Sequence, residues 1–245
     1  YPVVHGNVTG GLQPFFMLHG SPLLRSHMAA SLVLERPLSF LFSHHLRRDV
    51  PWDLSIETMV AEAMEHLRRV QPSGPYALGG YSAGAVVAVA LAQQLEELGE
   101  VVKTVFLLDP SWETGLPTTG GPTGQARLRL QLRNAEVAAM NTARRQTQKH
   151  FSAAPGEAAQ MKAVGLAYRA ALLRHRPVPY AGRGCLLTTR EGAQELEAAP
   201  WRRALWSGLT EVGLEASHAE LQKDPDALAE WTLRLNQHLR DTDHA

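Results

Sequence analysis

Gly80-Tyr81-Ser82-Ala83-Gly84 is a Gly-x-Ser-x-Gly pentapeptide set between the apolar run Tyr76-Ala77-Leu78 and the alanine- and valine-rich run from Ala85 to Leu98. Those flanks read as a strand feeding directly into a helix. A serine at such a tight turn is pushed into an exposed, strained position, and small residues two before and two after it leave room for the turn. The helix that follows points its free N–H groups and positive dipole end back at the serine, where a negatively charged intermediate would form. Ser82 is therefore a candidate nucleophile. The five residues alone also fit a chance glycine-rich strand–helix turn, so the reading depends on partners elsewhere in the chain.

Upstream, residues 1–13 carry Gly6, Gly10 and Gly11 and read as a lead-in strand or linker. Phe15-Phe16-Met17-Leu18 is a short apolar run of the buried parallel-strand kind, ended by His19-Gly20-Ser21-Pro22. Ser26 to Leu34 is weakly helical, and Pro37 to Ser43 reads as another strand. Ser55 to Val70 carries a helical period in Ile56, Met59, Val60, Ala63, Met64, Leu67 and Val70; Asp53 and Ser55 are its candidate caps, and Pro72-Ser73-Gly74-Pro75 stops it.

Downstream, the helix to Leu98 is apolar nearly all round and closes at Gly99. Lys103 to Leu108 is a strand that delivers Asp109-Pro110-Ser111 at its carboxyl end. Thr114 to Gly124 is a loop followed by two helix-like stretches, about 125–151 and 156–175. The segment of about 114–176 reads as a helical lid inserted between strands, with a helical hairpin of no gating role as the alternative. Gly184 to Thr189 supplies a strand with Cys185 as a small core residue. Trp201 to Ser207 is a short helical turn and Leu209 to Leu214 an edge strand. After the loop Glu215-Ala216-Ser217-His218, Asp224-Pro225 opens a final helix whose buried stripe is Leu228, Trp231, Leu235 and Leu239. This alternation implies one α/β domain over residues 1–245, with a mostly parallel central sheet flanked by helices and functional groups at the carboxyl ends of its strands.

Composition narrows the function classes. Lysine plus arginine and aspartate plus glutamate number 24 each, so no bulk charge draws the chain to nucleic acid or an anionic membrane. With 44% hydrophobic residues, mean hydropathy −0.18 and no apolar run of membrane-spanning length, a soluble cytoplasmic globule is expected. The one cysteine excludes an internal disulfide and any cysteine-based metal cluster. His44-His45 has no cysteine or carboxylate at ligand spacing nearby, so no metal is expected. The chain begins at Tyr1, as a piece cut from a longer polypeptide would, and a processed or trimmed chain would begin in the same way.

A serine hydroxyl needs a base to take its proton, a group to orient that base, and amide donors for the oxyanion. On α/β-hydrolase folds these arrive in the order serine, acid, histidine, each from a loop at the carboxyl end of a strand. Ser82, Asp109 and His218 come in that order, and each follows an expected strand. Asp109 could instead begin a turn with Pro110, and Glu191 and Glu195 are rival acids. Among the other histidines, His150 and His175 fall in the expected lid, and His238 and His244 in the terminal helix or tail. The backbone N–H groups of Ala83 and Ser21 are candidates for the oxyanion hole, with His19 bracing the loop of Ser21.

Gln71-Pro72-Ser73-Gly74-Pro75-Tyr76-Ala77-Leu78-Gly79-Gly80-Tyr81-Ser82-Ala83-Gly84 resembles the Gln-Pro-x-Gly-Pro-Tyr-x-Leu-x-Gly-x-Ser-x-Gly segment of type I thioesterase domains, which terminate polyketide synthases, nonribosomal peptide synthetases and animal-type fatty acid synthases. The resemblance extends to Phe16-Met17-Leu18-His19, Phe106-Leu107-Leu108-Asp109, Tyr168 through Gly182, and Ser217-His218. It implies an α/β-hydrolase with a helical lid, and a serine enzyme that receives an acyl chain from the phosphopantetheine arm of an acyl or peptidyl carrier protein. It further implies release of the acyl–serine by water or by an internal hydroxyl or amine, with no cofactor of the enzyme's own. The family usually has Gly-Asp-His where this chain has Ala216-Ser217-His218, a His-Pro-x-Gly-Gly-like loop where it has His19-Gly20-Ser21-Pro22, and often an aromatic residue at the position of Ala83. The same triad would serve a free-standing esterase or lipase, and a catalytically silent acyl-binding module is the alternative of a different class.

Overall fold

A computed structural model of the chain describes residues 5–6, 12–18, 36–41, 54–110, 167–198 and 206–244. The chain divides into two compact units, one of Tyr1–Ser43, Glu57–Trp112 and Pro177–Ala245, the other of His44–Ile56 and Glu113–Arg176.

The first unit is built on a seven-stranded sheet among the described residues, from β1 (His5–Gly6), β2 (Phe15–Leu18), β3 (Leu38–Leu41), β4 (Tyr76–Tyr81), β5 (Val102–Leu108), β6 (Gly184–Thr188) and β7 (Leu209–Gly213), in the order β1-β3-β2-β4-β5-β6-β7. Only the β1–β3 pair is antiparallel; the other pairs are parallel. Every residue of β2, β3, β4 and β6 is buried, as continuous apolar strands covered on both faces must be. β7 pairs only with β6 and is largely open, in keeping with an edge strand.

α1 (Ile56–Val70) follows the expected helical period, with Ile56, Met59, Val60, Ala63 and Leu67 buried. α2 (Ala83–Glu97) leaves β4 through the single residue Ser82, and buries Ala85, Val86, Ala88, Val89, Leu91, Ala92 and Leu95. α3 (Arg190–Ala198) begins where a strand was expected to end. α4 (Pro225–Asp243) is capped by the Asp224 carboxylate, which accepts from the amides of Asp226 at 2.8 Å and Ala227 at 3.4 Å. Its stripe of Leu228, Trp231, Leu235 and Leu239 enters the core that contains Phe106 and Leu108 of β5. Trp231 meets the Phe106 ring at 6.5 Å. At the far end of α4, the buried Arg36 and the half-exposed Lys103 both pair with Asp243. Burial alone would raise the Asp243 carboxyl, but the hydrogen bonds and charges of Arg36 and Lys103 outweigh it and hold the group below its ordinary value.

Cys185 is buried in β6, and burial pushes its thiol up to about 12, as befits a core residue and not a nucleophile. No helix of the described residues is long and apolar enough to cross a membrane.

Of the second unit, residues 54–56 and 167–176 are described. Residues 167–174 are helical and bury Ala167, Tyr168, Ala170, Ala171, Leu172 and Leu173. The Arg174 guanidinium donates to the Leu54 carbonyl at 2.6 Å. The rest of the expected lid, residues 114–166, lies outside the described residues, as does the weak helix expected over 26–34.

Candidate active site

The turn at Ser82 is closed by sterics and by two backbone hydrogen bonds. Ser82 sits at φ 52° and ψ −121°, a strained conformation for any residue but glycine. Its amide donates to the Leu108 carbonyl at 3.0 Å, and its own carbonyl accepts from Ala85 at 3.1 Å. A Cβ on Gly80 would lie 2.3 Å from the Gly84 carbonyl oxygen, so the strand can meet the helix this closely only with glycine there. Ser82 and Ala83 remain partly exposed. The Ala83 amide is among the first N–H groups of α2, which have no partner inside the helix. Ser21 and His19 lie outside the described residues.

Tyr81 pairs with Leu108, so the two strands end side by side, and Ser82 and Asp109 leave them together. Asp109 is also at positive φ, 42°, and its amide donates to the Leu187 carbonyl at 2.7 Å. Its carboxylate is buried. Oδ1 accepts from the Thr189 amide at 3.0 Å and the Thr189 hydroxyl at 2.8 Å; Oδ2 meets Nδ1 of His218. Thr189 is at the same time the cap of α3, since its Oγ1 accepts from the Gly192 amide at 3.1 Å. A Cβ on Gly192 would stand 2.6 Å from Asp109 Oδ1, so glycine leaves the carboxylate its place.

His218 stands in the loop between β7 and a single 3-10 turn, Glu220–Gln222. Its ring stacks on that of Tyr81, with centroids 4.9 Å apart and planes 20° from parallel. The Tyr81 hydroxyl donates to the His218 carbonyl at 3.0 Å. Ser217 and Glu220 form a reciprocal cap: the Ser217 amide donates to the Glu220 carboxylate at 2.7 Å, and the Glu220 amide donates to Ser217 Oγ at 3.3 Å. The Ser217 amide, and then its hydroxyl, hold the Glu220 carboxyl below its usual range. Arg190, at the start of α3, donates to the Glu215 carbonyl at 3.0 Å and ties the same loop from its other end.

Ser82, Asp109 and His218 therefore stand at one end of the sheet. Asp109 and His218 touch, and Ser82 is next in sequence to the tyrosine that carries the His218 ring. With Nδ1 turned to a carboxylate, Nε2 is the nitrogen of His218 open to proton transfer. The rival acids do not share this position: Glu191 is exposed in the first turn of α3, and the side chain of Glu195 lies outside the described residues. His238 lies on α4 against Thr104, and His175 follows the 167–174 helix. Among the described residues no group of three or more histidine, cysteine, aspartate or glutamate side chains could hold a metal ion.

Three residues of the site were not foreseen. Thr189 falls at the end of the expected strand, and a threonine followed by Arg190-Glu191 suits a strand end and a helix start equally. Gly192 and Tyr81 carry no signal in one sequence, because their roles depend on what the fold places opposite them.

The profile of the family described as thioesterase domain matches residues 34–235. An atromentin synthetase of Paxillus involutus, invA5, is 35% identical over 111 residues, which are 44% of this chain and 12% of that protein. Indigoidine synthase of Dickeya dadantii is 40% identical over 114 residues, 46% of this chain and 6% of its own length. The chain thus aligns with only a small part of these relatives. Among solved structures, the NocB thioesterase domain in covalent complex with a fluorophosphonate nocardicin G analog superposes with a TM-score of 0.71 at 23% identity, covering 97% of this chain and 99% of that one. At that identity the likeness speaks for the fold alone. The matched profile spans most of the chain, and the parallel sheet with flanking helices agrees with the fold of that solved thioesterase domain. The chain belongs to the thioesterase domain family and has the α/β-hydrolase fold.

Proposed function

We propose that this domain releases an acyl chain from a carrier-protein phosphopantetheine thioester through an acyl-enzyme on Ser82. The observation that carries the reading is the contact of the Asp109 carboxylate with His218 Nδ1, made beside the strained turn that presents Ser82. His218 Nε2 takes the proton of Ser82 Oγ as the oxygen attacks the thioester carbonyl. The N–H groups of Ala83 and Ser21 receive the developing oxyanion. Collapse breaks the carbon–sulfur bond, and the imidazolium returns its proton to the leaving thiolate. Water, or a hydroxyl or amine of the acyl chain itself, then attacks the ester with His218 again as base, the acyl bond to Ser82 Oγ breaks, and the imidazolium returns the proton to that oxygen. Asp109 stays ionised and holds the ring throughout.

A carrier domain, acyl or peptidyl, is the proposed partner, supported by the sequence resemblance and by relatives named as a synthetase and a synthase, of which this stretch matches a small part. The phosphopantetheine belongs to that partner. Turnover of an acyl N-acetylcysteamine or acyl-carrier thioester should be abolished in Ser82→Ala; unchanged turnover would overturn the mechanism. A fluorophosphonate probe should label Ser82 in the folded domain, whereas a silent binding module would remain unlabelled. Preference for oxoesters over thioesters would favour a free-standing esterase.

A further inference from the structure

We infer that Tyr81 is a positioning residue for His218, which holds the histidine at its backbone and its ring at once and stabilises the charged imidazolium. The inference rests on the proposed role of His218 as the base for Ser82. Two separate contacts carry it: the Tyr81 hydroxyl donates to the His218 carbonyl at 3.0 Å, and the Tyr81 ring lies 4.9 Å from the imidazole at an interplanar angle of 20°. Tyr81 is 1% exposed and closes β4 in the core, so it cannot swing away from the histidine. His218, by contrast, is 41% exposed and stands on a loop.

The consequence is geometric and electrostatic. Asp109 fixes one ring nitrogen, and a single hydrogen bond leaves a ring free to rotate about it. The stacked tyrosine removes that freedom by fixing the ring plane. An aromatic face also attracts a cation, so it favours the imidazolium that forms when Ser82 gives up its proton. Because Tyr81 is bonded directly to Ser82, base and nucleophile are registered through one residue of one rigid strand. A displacement of the loop that carries His218 is resisted by the same side chain that precedes the nucleophile.

Tyr81→Phe keeps the ring and loses the hydrogen bond; kcat should fall about fivefold with KM unchanged, the loss expected of one neutral hydrogen bond. Tyr81→Leu loses the stack. Its kcat should fall further, again with KM unchanged, because ring orientation and the support for the imidazolium are both lost. Equal kcat in the Phe and Leu variants, or a rise in KM in place of the fall in kcat, is what a purely structural role would give, and it overturns the proposal. Should Tyr81→Leu fail to fold, the wild-type protein decides. Its His218 ring protons, assigned by their disappearance in His218→Gln, should resonate upfield of free histidine through the tyrosine ring current, and unshifted resonances overturn the proposal. The two readings fail separately: absence of fluorophosphonate labelling in wild type removes the Ser82 mechanism, whereas the ring-proton shift is read without turnover.

Discussion

Asp109 and Thr189 are joined by two hydrogen bonds to one carboxylate oxygen, from the threonine amide at 3.0 Å and its hydroxyl at 2.8 Å. This leaves the second oxygen to His218. The hydroxyl also accepts from Gly192, so one side chain joins the first turn of α3 to the acid. Thr189→Val keeps the shape and deletes the hydroxyl, while the amide bond remains. A hydrogen bond to a charged group contributes about 1.5–3 kcal/mol, so kcat/KM should fall roughly tenfold to a hundredfold. Thr189→Ser should stay near wild type. Steady-state kinetics on an acyl N-acetylcysteamine thioester decides between them, and equal activity in Val and Ser variants would rule out the hydroxyl's role.

Gly192→Ala tests the same carboxylate from outside. The added methyl would stand 2.6 Å from Asp109 Oδ1, and the group that can move is the end of the aspartate side chain, not backbone. Activity should therefore suffer more than folding. Alanine also suits a helix better than glycine by about 1 kcal/mol, which offsets part of the strain. The expected result is a loss of kcat with a melting temperature within about 3 °C of wild type. A fully active variant would show that the carboxylate has room to spare.

The fold was legible wherever one segment's pattern decided the outcome. The apolar runs at Phe15, Tyr76 and Val105 could only be buried strands, and the stripe from Leu228 to Leu239 could only face a core. The meeting of Asp109 and His218 was legible because each follows a strand, so both loops open at the same end of a parallel sheet. The α3 helix was not, since Thr188 and Thr189 are as good strand formers as caps, and the choice fell to the Asp109 carboxylate waiting opposite. The contact between Tyr81 and His218 spans 137 residues of sequence, and no local pattern encodes a ring against a ring at that separation. The antiparallel β1 is only two residues long, too short for a period to show.

His238 should make stability depend on pH in a defined window. Burial lowers its pKa, against a smaller opposing pull from Asp241, so the folded chain holds this ring neutral more firmly than the unfolded chain does. Above the unfolded value near 6.5 both states are neutral and the group contributes nothing to the slope. As pH falls below that value the unfolded state binds the proton first, and stability drops until the folded pKa is passed. His66, which burial also lowers, acts in the same direction. Urea unfolding at pH 7.5, 6.0 and 5.0 should show this decline. His238→Gln should flatten part of it, and an identical slope in the variant would assign the decline to other groups.

Gly80→Ala asks how much of the elbow is dictated by space alone. Its Cβ would come within 2.3, 2.5 and 2.6 Å of the Gly84 oxygen, the Gly84 carbonyl carbon and the Ala85 Cα, all of them backbone atoms of α2. No side chain can turn aside to admit it. β4 lies between β2 and β5 and cannot retreat without breaking a ladder, so α2 must lift off the sheet at its first turn. That displacement would also shift Ser82, whose carbonyl is bonded to Ala85. The change should cost more than about 3 kcal/mol, the range of overpacking at a position that cannot relax. Thermal unfolding should place the variant well below wild type, with fluorophosphonate labelling lost in whatever fraction remains folded. A stable, fully labelled Gly80→Ala would mean that the strand and helix are not held together as tightly as the turn at Ser82 requires.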